Sequence, residues 1–336
     1  MTAHSAETRP RADSTITVKS YAKINLSLDV LSRLPNGYHS IRTVMQQVDL
    51  FDTVSVSVRN AGAPAAKSDG AGARIALLAE SDGIDIAELP TDERNTALRA
   101  ARAFLAEFAP RFSGCIDIRL QKRVPLAAGL AGGSGNAAAV ILALARLLAP
   151  TDAAPAHTEA ARLMELGSRI GADVPFCIMG QAALNRELGF AGNRTATCAL
   201  AEGVGEKLTP LPSPGGAVII VKPAVSVSTA AVYAGLNLSA ISKRPDTDAL
   251  VAGIKADDCG KIRKNMINVL EIAVLKEYPE IAAAKERLAA DKNAECALMS
   301  GSGSSVFAWY RDISVCETAL GALRREGIDV RMAKLQ

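Results

Sequence analysis

The run Leu126-Ala127-Ala128-Gly129-Leu130-Ala131-Gly132-Gly133-Ser134-Gly135-Asn136 opens straight into the apolar stretch 137–149, which Pro150 stops. Four glycines in the run from Gly129 to Gly135 make a glycine-rich loop that opens a helix. Such a loop leaves several backbone N–H groups bare, and the helix adds its own unpaired donors and the positive end of its dipole. An anion belongs there. Phosphate suits it because one group accepts several N–H bonds at once, and Ser134 adds a hydroxyl donor or an oxygen that reaches a metal. From the loop alone, a turn that merely permits close helix packing stays open. No Lys-Ser or Lys-Thr follows the last glycine, which argues against an ordinary P-loop. The spacing also fails GxGxxG with an acidic residue about 20 positions on, so a dinucleotide fold is unsupported.

A chain of 336 residues is about twice the usual domain size, so two domains sharing an interface are expected. Lys and Arg number 38 against 35 Asp and Glu, a net charge of +3, which leaves no global basic field for nucleic acid but allows a local site for a small phosphate ester. The six cysteines form no CxxC pair and read as reduced, mostly buried thiols. Three histidines, His4, His39 and His157, are too scattered for a structural zinc site. Residues 1–14 hold no apolar segment and read as a frayed tail, neither a secretory signal nor a membrane anchor, and no stretch is long and apolar enough to span a bilayer. A cytoplasmic protein is expected.

Along 16–30 the even positions Ile16, Val18, Ala22, Ile24, Leu26, Leu28 and Val30 are apolar, a period-two strand that puts Lys23 and Asn25 together on the opposite, polar face. Pro35-Asn36-Gly37 is turn chemistry with Gly37 free to take positive φ, and Tyr38-His39 leaves the turn. A strand is expected at 54–58, a mobile loop at 60–73, a helix at 96–108 and a strand at 115–120. A helix over 159–170 ends at Gly171, which puts Asp173 on a short connector past the unfavourable end of that helix's dipole, with Val174 held extended by Pro175. After a change of domain near the strand 217–221, helices are expected near 228–235, 264–275 and 280–289. Strands at 296–299 and 306–310, a helix at 314–325 and a strand at 328–332 then close a helix-backed antiparallel sheet.

Lys23 and Asp173 are the charged pair a phosphoryl transfer asks for, a carboxylate near the acceptor hydroxyl and a cation near the developing charge. Out of context each is as readily a solvated charge, and His39 as readily a turn residue. Gly301-Ser302-Gly303 is a second bare-backbone loop, and two such loops can close over one polyphosphate.

Taken together, Pro125-x-x-x-Gly129-Leu130-x-Gly132-Gly133-Ser134-x-Asn136-Ala137-Ala138, the strand before it and the Gly-Ser-Gly loop after it resemble the GHMP kinase superfamily. Further motifs resemble its branch of 4-diphosphocytidyl-2-C-methyl-D-erythritol kinases: Ala22-Lys23-Ile24-Asn25-Leu26, Gly37-Tyr38-His39, Gly171-Ala172-Asp173-Val174-Pro175-Phe176, Glu202-Gly203-Val204-Gly205-Glu206, Pro223-x-x-Ser226-Val227-x-Thr229, Lys264-Asn265-x-x-Asn268-x-Leu270-Glu271 and Met299-Ser300-Gly301-Ser302-Gly303. The resemblance implies an α+β, two-domain fold: an N-terminal domain with a ribosomal-S5-like β-α-β core, a C-terminal helix-backed antiparallel sheet, and an active site in the cleft between them. It divides the chain into a tail (1–14), an N-terminal ATP-binding domain (15–180), an inserted loop (181–196) and a C-terminal domain (197–336). It implies ATP and Mg2+, small-molecule partners only, and transfer of the γ-phosphoryl group to the C2 hydroxyl of a cytidyl-linked methylerythritol. By resemblance Asp173 is the catalytic carboxylate and Lys23 its companion. Pro125, Gly129, Leu130, Ala131, Gly132, Gly133, Ser134, Gly135 and Asn136 cradle the ATP phosphates, with Asn95 and Lys122 toward the adenosine. Asn25 lies near the substrate diphosphate, Tyr38 and Tyr233 clamp the cytosine, His39 reads its polar edge, and Thr229 lies close to Asp173. Ala128 and Ala131 stand where the family often has glycine. The alternatives are a homoserine- or mevalonate-type kinase of the superfamily, whose substrate has no base to stack, and a non-catalytic nucleotide-binding relative.

Overall fold

The computed structural model describes residues 14–60, 73–148, 157–190 and 195–336. The expected tail, the interior of the 60–73 loop and part of the expected insertion (191–194) lie outside the described residues. The elements are β1 (Ser14–Arg33), β2 (His39–Asn60), β3 (Arg74–Ser81), α1 (Thr96–Phe108), β4 (Gly114–Lys122), α2 (Gly132–Leu147), α3 (His157–Ser168) and α4 (Val174–Leu184). They continue with β5 (Cys198–Gly203), β6 (Lys207–Leu211), β7 (Ala217–Val221), α5 (Thr229–Gly235), α6 (Thr247–Lys255), α7 (Cys259–Asn265), α8 (Glu271–Glu277), α9 (Pro279–Ala289), β8 (Cys296–Met299), β9 (Val306–Tyr310), α10 (Ile313–Arg325) and β10 (Val330–Lys334). Among the described residues, no helix is long and apolar enough to cross a membrane.

The chain gathers into two compact units that interleave in sequence. The first takes the residues up to Ser20, Asp52–Arg123 and Gly133–Thr195; the second takes Tyr21–Phe51, Val124–Gly132 and Ala196–Gln336.

In the first unit the later half of β2 pairs antiparallel with β4, and β3 pairs parallel with β4. Val54, Val56 and Val58 stand opposite Leu120, Ile118 and Ile116, and all six are buried, so the alternation in the sequence becomes one apolar face. Asn95 caps α1, whose stripe Ala97, Leu98, Ala101 and Phe104 is buried. From Gly135 to Leu144 every residue of α2 is buried, which makes it a core helix and not an amphipathic one. The same holds for α4, buried throughout Val174–Ala182. With no polar face to give it a period, α4 reads as irregular in sequence. Pro175 misleads further, since it occupies the first turn, where a missing N–H breaks no helical bond. The stretch expected as an inserted loop accordingly begins as the last turn of α4, and Gln181, Asn185, Leu188 and Phe190 are buried beneath it.

In the second unit, strand order β10-β7-β9-β8 forms an antiparallel sheet. One face presents Val218, Ile220, Phe307 and Trp309 to Ala22, Ile24, Leu26, Val44, Leu250 and Ile262. The other presents Ala217, Ile219, Val221, Val306, Ala308 and Tyr310 to Val274, Ile281, Leu288, Cys316 and Leu323 of α8, α9 and α10. The sheet is thus helix-backed as expected and also covered on its second face, which is why β7 and β9 are apolar at every position and not at alternate ones. The helix expected over 264–275 is two helices, α7 and α8. Between them 267–269 runs extended beside β1, with Leu28 N–H donating to Ile267 O and Val269 N–H to Leu28 O, each at 2.9 Å. Helix α6 had no counterpart in the sequence reading, although Asp246 three residues before Ala249 is a legible N-cap.

Candidate active site

From Ser20 to Val30 β1 is buried on both faces, so Lys23 and Asn25 do share a face but not a solvated one: they are 4% and 2% exposed. A buried ammonium needs fixed acceptors, and Lys23 Nζ donates to Asn25 Oδ1 at 2.7 Å. Asn25 Nδ2 donates to Thr43 Oγ1 at 2.8 Å, and that hydroxyl donates on to Ser27 O at 2.5 Å. Because the threonine proton is spent on a carbonyl, its lone pairs face the Asn25 amide nitrogen, which leaves the amide oxygen toward the lysine. The main chain of the same strand reaches the glycine-rich loop: Lys23 N–H donates to Leu130 O at 3.1 Å.

That loop is tight. Gly129 has φ +71°, and a Cβ there would stand 2.1 Å from Ser300 O and 2.9 Å from Gly303 O, so only glycine fits. Ala127 (φ 48°) and Ala131 (φ 57°) carry side chains in the left-handed region, the latter at one of the positions where glycine is common in relatives by resemblance. Leu130 anchors the loop in the core and Pro125 is half-buried beside it. The second bare-backbone loop lies against the first, with Ser300 Oγ donating to Gly129 O at 2.9 Å and Ser305 N–H to Ala128 O at 3.2 Å. A Cβ on Gly301 would be 3.4 Å from Asn25 Oδ1 and 3.6 Å from Lys23 Nζ. Ser302 Oγ shares a 2.7 Å hydrogen bond with Thr229 Oγ1 at the start of α5. Lysine strand, glycine-rich loop, second loop and Thr229 therefore meet within the second unit.

The first unit carries the remaining pieces. Gly133 O accepts from Thr96 Oγ1 at 2.8 Å, and Ser134 Oγ would lie 3.8 Å from a Cβ on Gly171, which brings the start of α2 beside the turn leading to Asp173. Asp173 is the N-cap residue of α4, at the positive end of its dipole, whereas the sequence put it past the wrong end of the preceding helix. The correction follows from α4 itself, which the sequence reading lacked.

Three residues expected to contact the nucleotide have their side chains spent on the protein. Asn95 Oδ1 accepts from Ala97 N–H at 2.9 Å and its Nδ2 donates to Pro90 O at 2.6 Å. Lys122, 1% exposed, is ion-paired with the fully buried Asp52, and Asn136 completes the triad. Asn136 Oδ1 accepts from Lys122 at 3.0 Å, while its Nδ2 reaches Asp52 at 2.9 Å and Ser20 Oγ at 3.1 Å. Asp52 Oδ1 further accepts from Arg123 N–H at 2.7 Å. Lys122 and Asn136 thus hold the root of α2. Asp52 was missed, although an acidic residue inside the apolar strand segment around Phe51 and Val54 is a readable sign of a buried partner. Replacing Lys122 by methionine, which keeps the stem and removes the charge, should cost about 3–5 kcal/mol of unfolding free energy in a urea titration, because Asp52 is left charged and buried.

At the other end of the second unit Gly37 takes φ +87°, as expected, and Tyr38 N–H donates to Asn36 Oδ1 at 3.1 Å. Tyr38 is 63% exposed. The ring that faces Tyr233 is His39, with centroids 5.3 Å apart and planes tilted by 37°, so the close aromatic pair is His39–Tyr233 and not Tyr38–Tyr233. None of the six thiols is in a disulfide, and burial pushes those of Cys296 and Cys316 up to about 12, which leaves them unreactive at neutral pH.

Comparison with known proteins matches residues 95–181 to the GHMP kinases N-terminal domain and residues 250–329 to the GHMP kinases C-terminal domain. The chain is 40% identical over 291 residues to a 4-diphosphocytidyl-2-C-methyl-D-erythritol kinase of Caldicellulosiruptor saccharolyticus, covering 86% of each. It is 38% identical over 298 residues to the kinase of the same name from Acetivibrio thermocellus, covering 88% of this chain and 90% of that one. Among solved structures it resembles a 4-(cytidine 5'-diphospho)-2C-methyl-D-erythritol kinase with a TM-score of 0.68 and 28% identity, over 95% of this chain and 99% of the other. A homoserine kinase from Cytophaga hutchinsonii, at 21% identity and a TM-score of 0.63 over 100% of this chain and 97% of that one, shares the fold.

Proposed function

The chain belongs to the GHMP kinases and, within them, to the family of 4-diphosphocytidyl-2-C-methyl-D-erythritol kinases, and from that membership we propose how its own residues carry the reaction. It has the two-domain α+β fold of that family, and it phosphorylates 4-diphosphocytidyl-2-C-methyl-D-erythritol with ATP. The acceptor is the C2 hydroxyl, and the products are the 2-phosphate and ADP.

The observation that carries the assignment is the 3.1 Å bond from Lys23 N–H to Leu130 O, which ties the lysine strand to the glycine-rich loop. Bare amides of Gly129–Gly135, with the N-terminus of α2, take the β- and γ-phosphate oxygens. Lys23, already oriented by Asn25, balances charge on the transferred group. Asp173 orients the C2 hydroxyl and accepts its proton late: the alcohol oxygen forms its bond to the γ-phosphorus, the bond from that phosphorus to the ADP oxygen breaks, and the proton ends on the carboxylate. An ion is expected with ATP. Mg2+ is held mostly through substrate phosphates and one or two protein oxygens. Ser134 Oγ is the protein donor that fits, and the ion would supply neutralisation of the phosphate oxygens. Asn25 lies toward the substrate diphosphate, and Thr229 toward the acceptor. Both substrates are highly charged, which accords with a cytoplasmic enzyme.

For the cytosine the His39–Tyr233 pair supplies a preformed aromatic wall, and the exposed Tyr38 is free to close on the base. Tyr38→Ala should therefore raise KM for the cytidyl substrate about tenfold, losing one stacked face, while KM for ATP moves little; equal damage to both would contradict the pocket. The assignment as a whole is tested by incubating the protein with ATP, Mg2+ and the cytidyl diphosphate alcohol and following the product by phosphorus NMR. A new monoester resonance on a tertiary carbon is expected, and ATP hydrolysis without it would sink the reading.

A further inference from the structure

The segment Lys264-Asn265-x-x-Asn268-x-Leu270-Glu271 has no part in the chemistry above, yet two of its side chains, Asn268 and Glu271, reach the loop that lies beside Lys23. Asn268 is 2% exposed, and every polar atom of its amide is used. Nδ2 donates to Met299 O at 2.9 Å and to Gly301 O at 2.7 Å, while Oδ1 accepts from Leu270 N–H at 3.0 Å. Glu271 grips the same stretch from its other side, accepting from Met299 N–H at 2.8 Å and pairing with Lys285 at 2.5 Å.

The backbone around Asn268 is itself fixed to the lysine strand. Ile267 and Val269 bond to Leu28, five residues along β1 from Lys23. One short segment is therefore anchored to β1 through its main chain and to the 299–303 loop through one buried amide. That loop in turn touches the lysine pair, the glycine-rich loop and Thr229. Gly301 lies against Asn25 Oδ1 and Lys23 Nζ, Ser300 bonds Gly129 O, and Ser302 bonds Thr229. A loop of glycines and serines has little stiffness of its own, so the distance between it and the lysine must be set from outside. The only side chain with bonds to two carbonyls of that loop and a backbone tie to the lysine strand, among the described residues, is Asn268.

We propose that Asn268 is a positioning residue of the phosphoryl transfer, the side chain that fixes the 299–303 loop at its working distance from the Lys23–Asn25 pair. The proposal rests on the reading of Lys23 as the cation of the reaction. Asn268 acts through other groups, so its loss falls on kcat and not on the capture of either substrate. A displacement of about 1 Å in a reacting constellation lowers turnover on the order of a hundredfold, so a loop that slackens by less should lose roughly ten- to a hundredfold.

The test compares full-length wild type, Asn268→Ala, Lys23→Met and the double variant, with kcat and both KM values measured per folded molecule, well below each Tm. Asn268→Ala is expected to lower kcat by about ten- to a hundredfold with each KM changed less than about threefold, and to add less than about twofold in the Lys23→Met background, because both substitutions disable the same arrangement. An Asn268 that only supports the fold would lower Tm and leave kcat per folded molecule unchanged, and an independent role would repeat its full factor in the double variant; either result overturns the proposal. Should the alanine protein fail to fold, Asn268→Ser keeps an uncharged side-chain oxygen as acceptor for Leu270 N–H while removing the two amide N–H bonds, and the same expectations apply to it. Wild-type turnover and the Lys23→Met loss report separately on the underlying reading. If both hold and the Asn268 variants turn over normally, only the positioning role falls; an inactive wild type overturns both.

Discussion

Asp173→Ala is expected to lower kcat by about a hundredfold or more, at least ~2.7 kcal/mol of transition-state stabilisation, in an assay saturated with both substrates. Loss of folding is not the expected cause. Helix α4 takes no capping bond from the Asp173 side chain, and the main-chain bond from Cys177 N–H to Asp173 O survives the substitution. What alanine removes is the only group assigned to take the hydroxyl proton, and the amides of the glycine-rich loop can still bind ATP. KM for ATP should accordingly change little. A loss of tenfold or less would mean that the proton leaves by another route and that the carboxylate is a bystander.

Gly129→Ala is expected to harm stability and turnover together. A methyl group at φ +71° adds about 1–2 kcal/mol of backbone strain, and the clash with Ser300 O adds about 1–3 kcal/mol, so about 2–5 kcal/mol of unfolding free energy should be lost in a denaturant titration. The obstruction is a backbone oxygen 2.1 Å away, held in place by the bonds from Ser300 and Ser305 to the same loop, and no rotamer change relieves it. The loops must part, and kcat/KM should fall on the order of a hundredfold as the phosphate amides lose register with Lys23. A variant with wild-type Tm and activity would show that the two loops need not touch.

Much of this site was legible because its parts have strong local signatures. Glycine spacing marked the glycine-rich loop and the helix it opens, Asn36-Gly37 marked the turn before His39, and period two marked β1 and β4. Illegible were the features that depend on what covers a segment. Lys23 looked solvent-facing because alternation tells which face a residue takes and not whether that face is covered. Helix α4 disappeared because a helix buried all round loses its period, and Asp173 was then assigned to the wrong end of a dipole. Lys122 and Asn136 came forward as nucleotide contacts through the family resemblance, while Asp52, seventy residues upstream of Lys122, bonds both side chains.

The interleaving of the two units bears on how such an enzyme descends. The core beneath β7 and β9 draws Ala22, Ile24, Leu26 and Val44 from the first fifty residues and Val124, Ala128 and Leu130 from the middle of the chain. No single cut yields a self-sufficient piece, so recombination cannot trade one half for a foreign module.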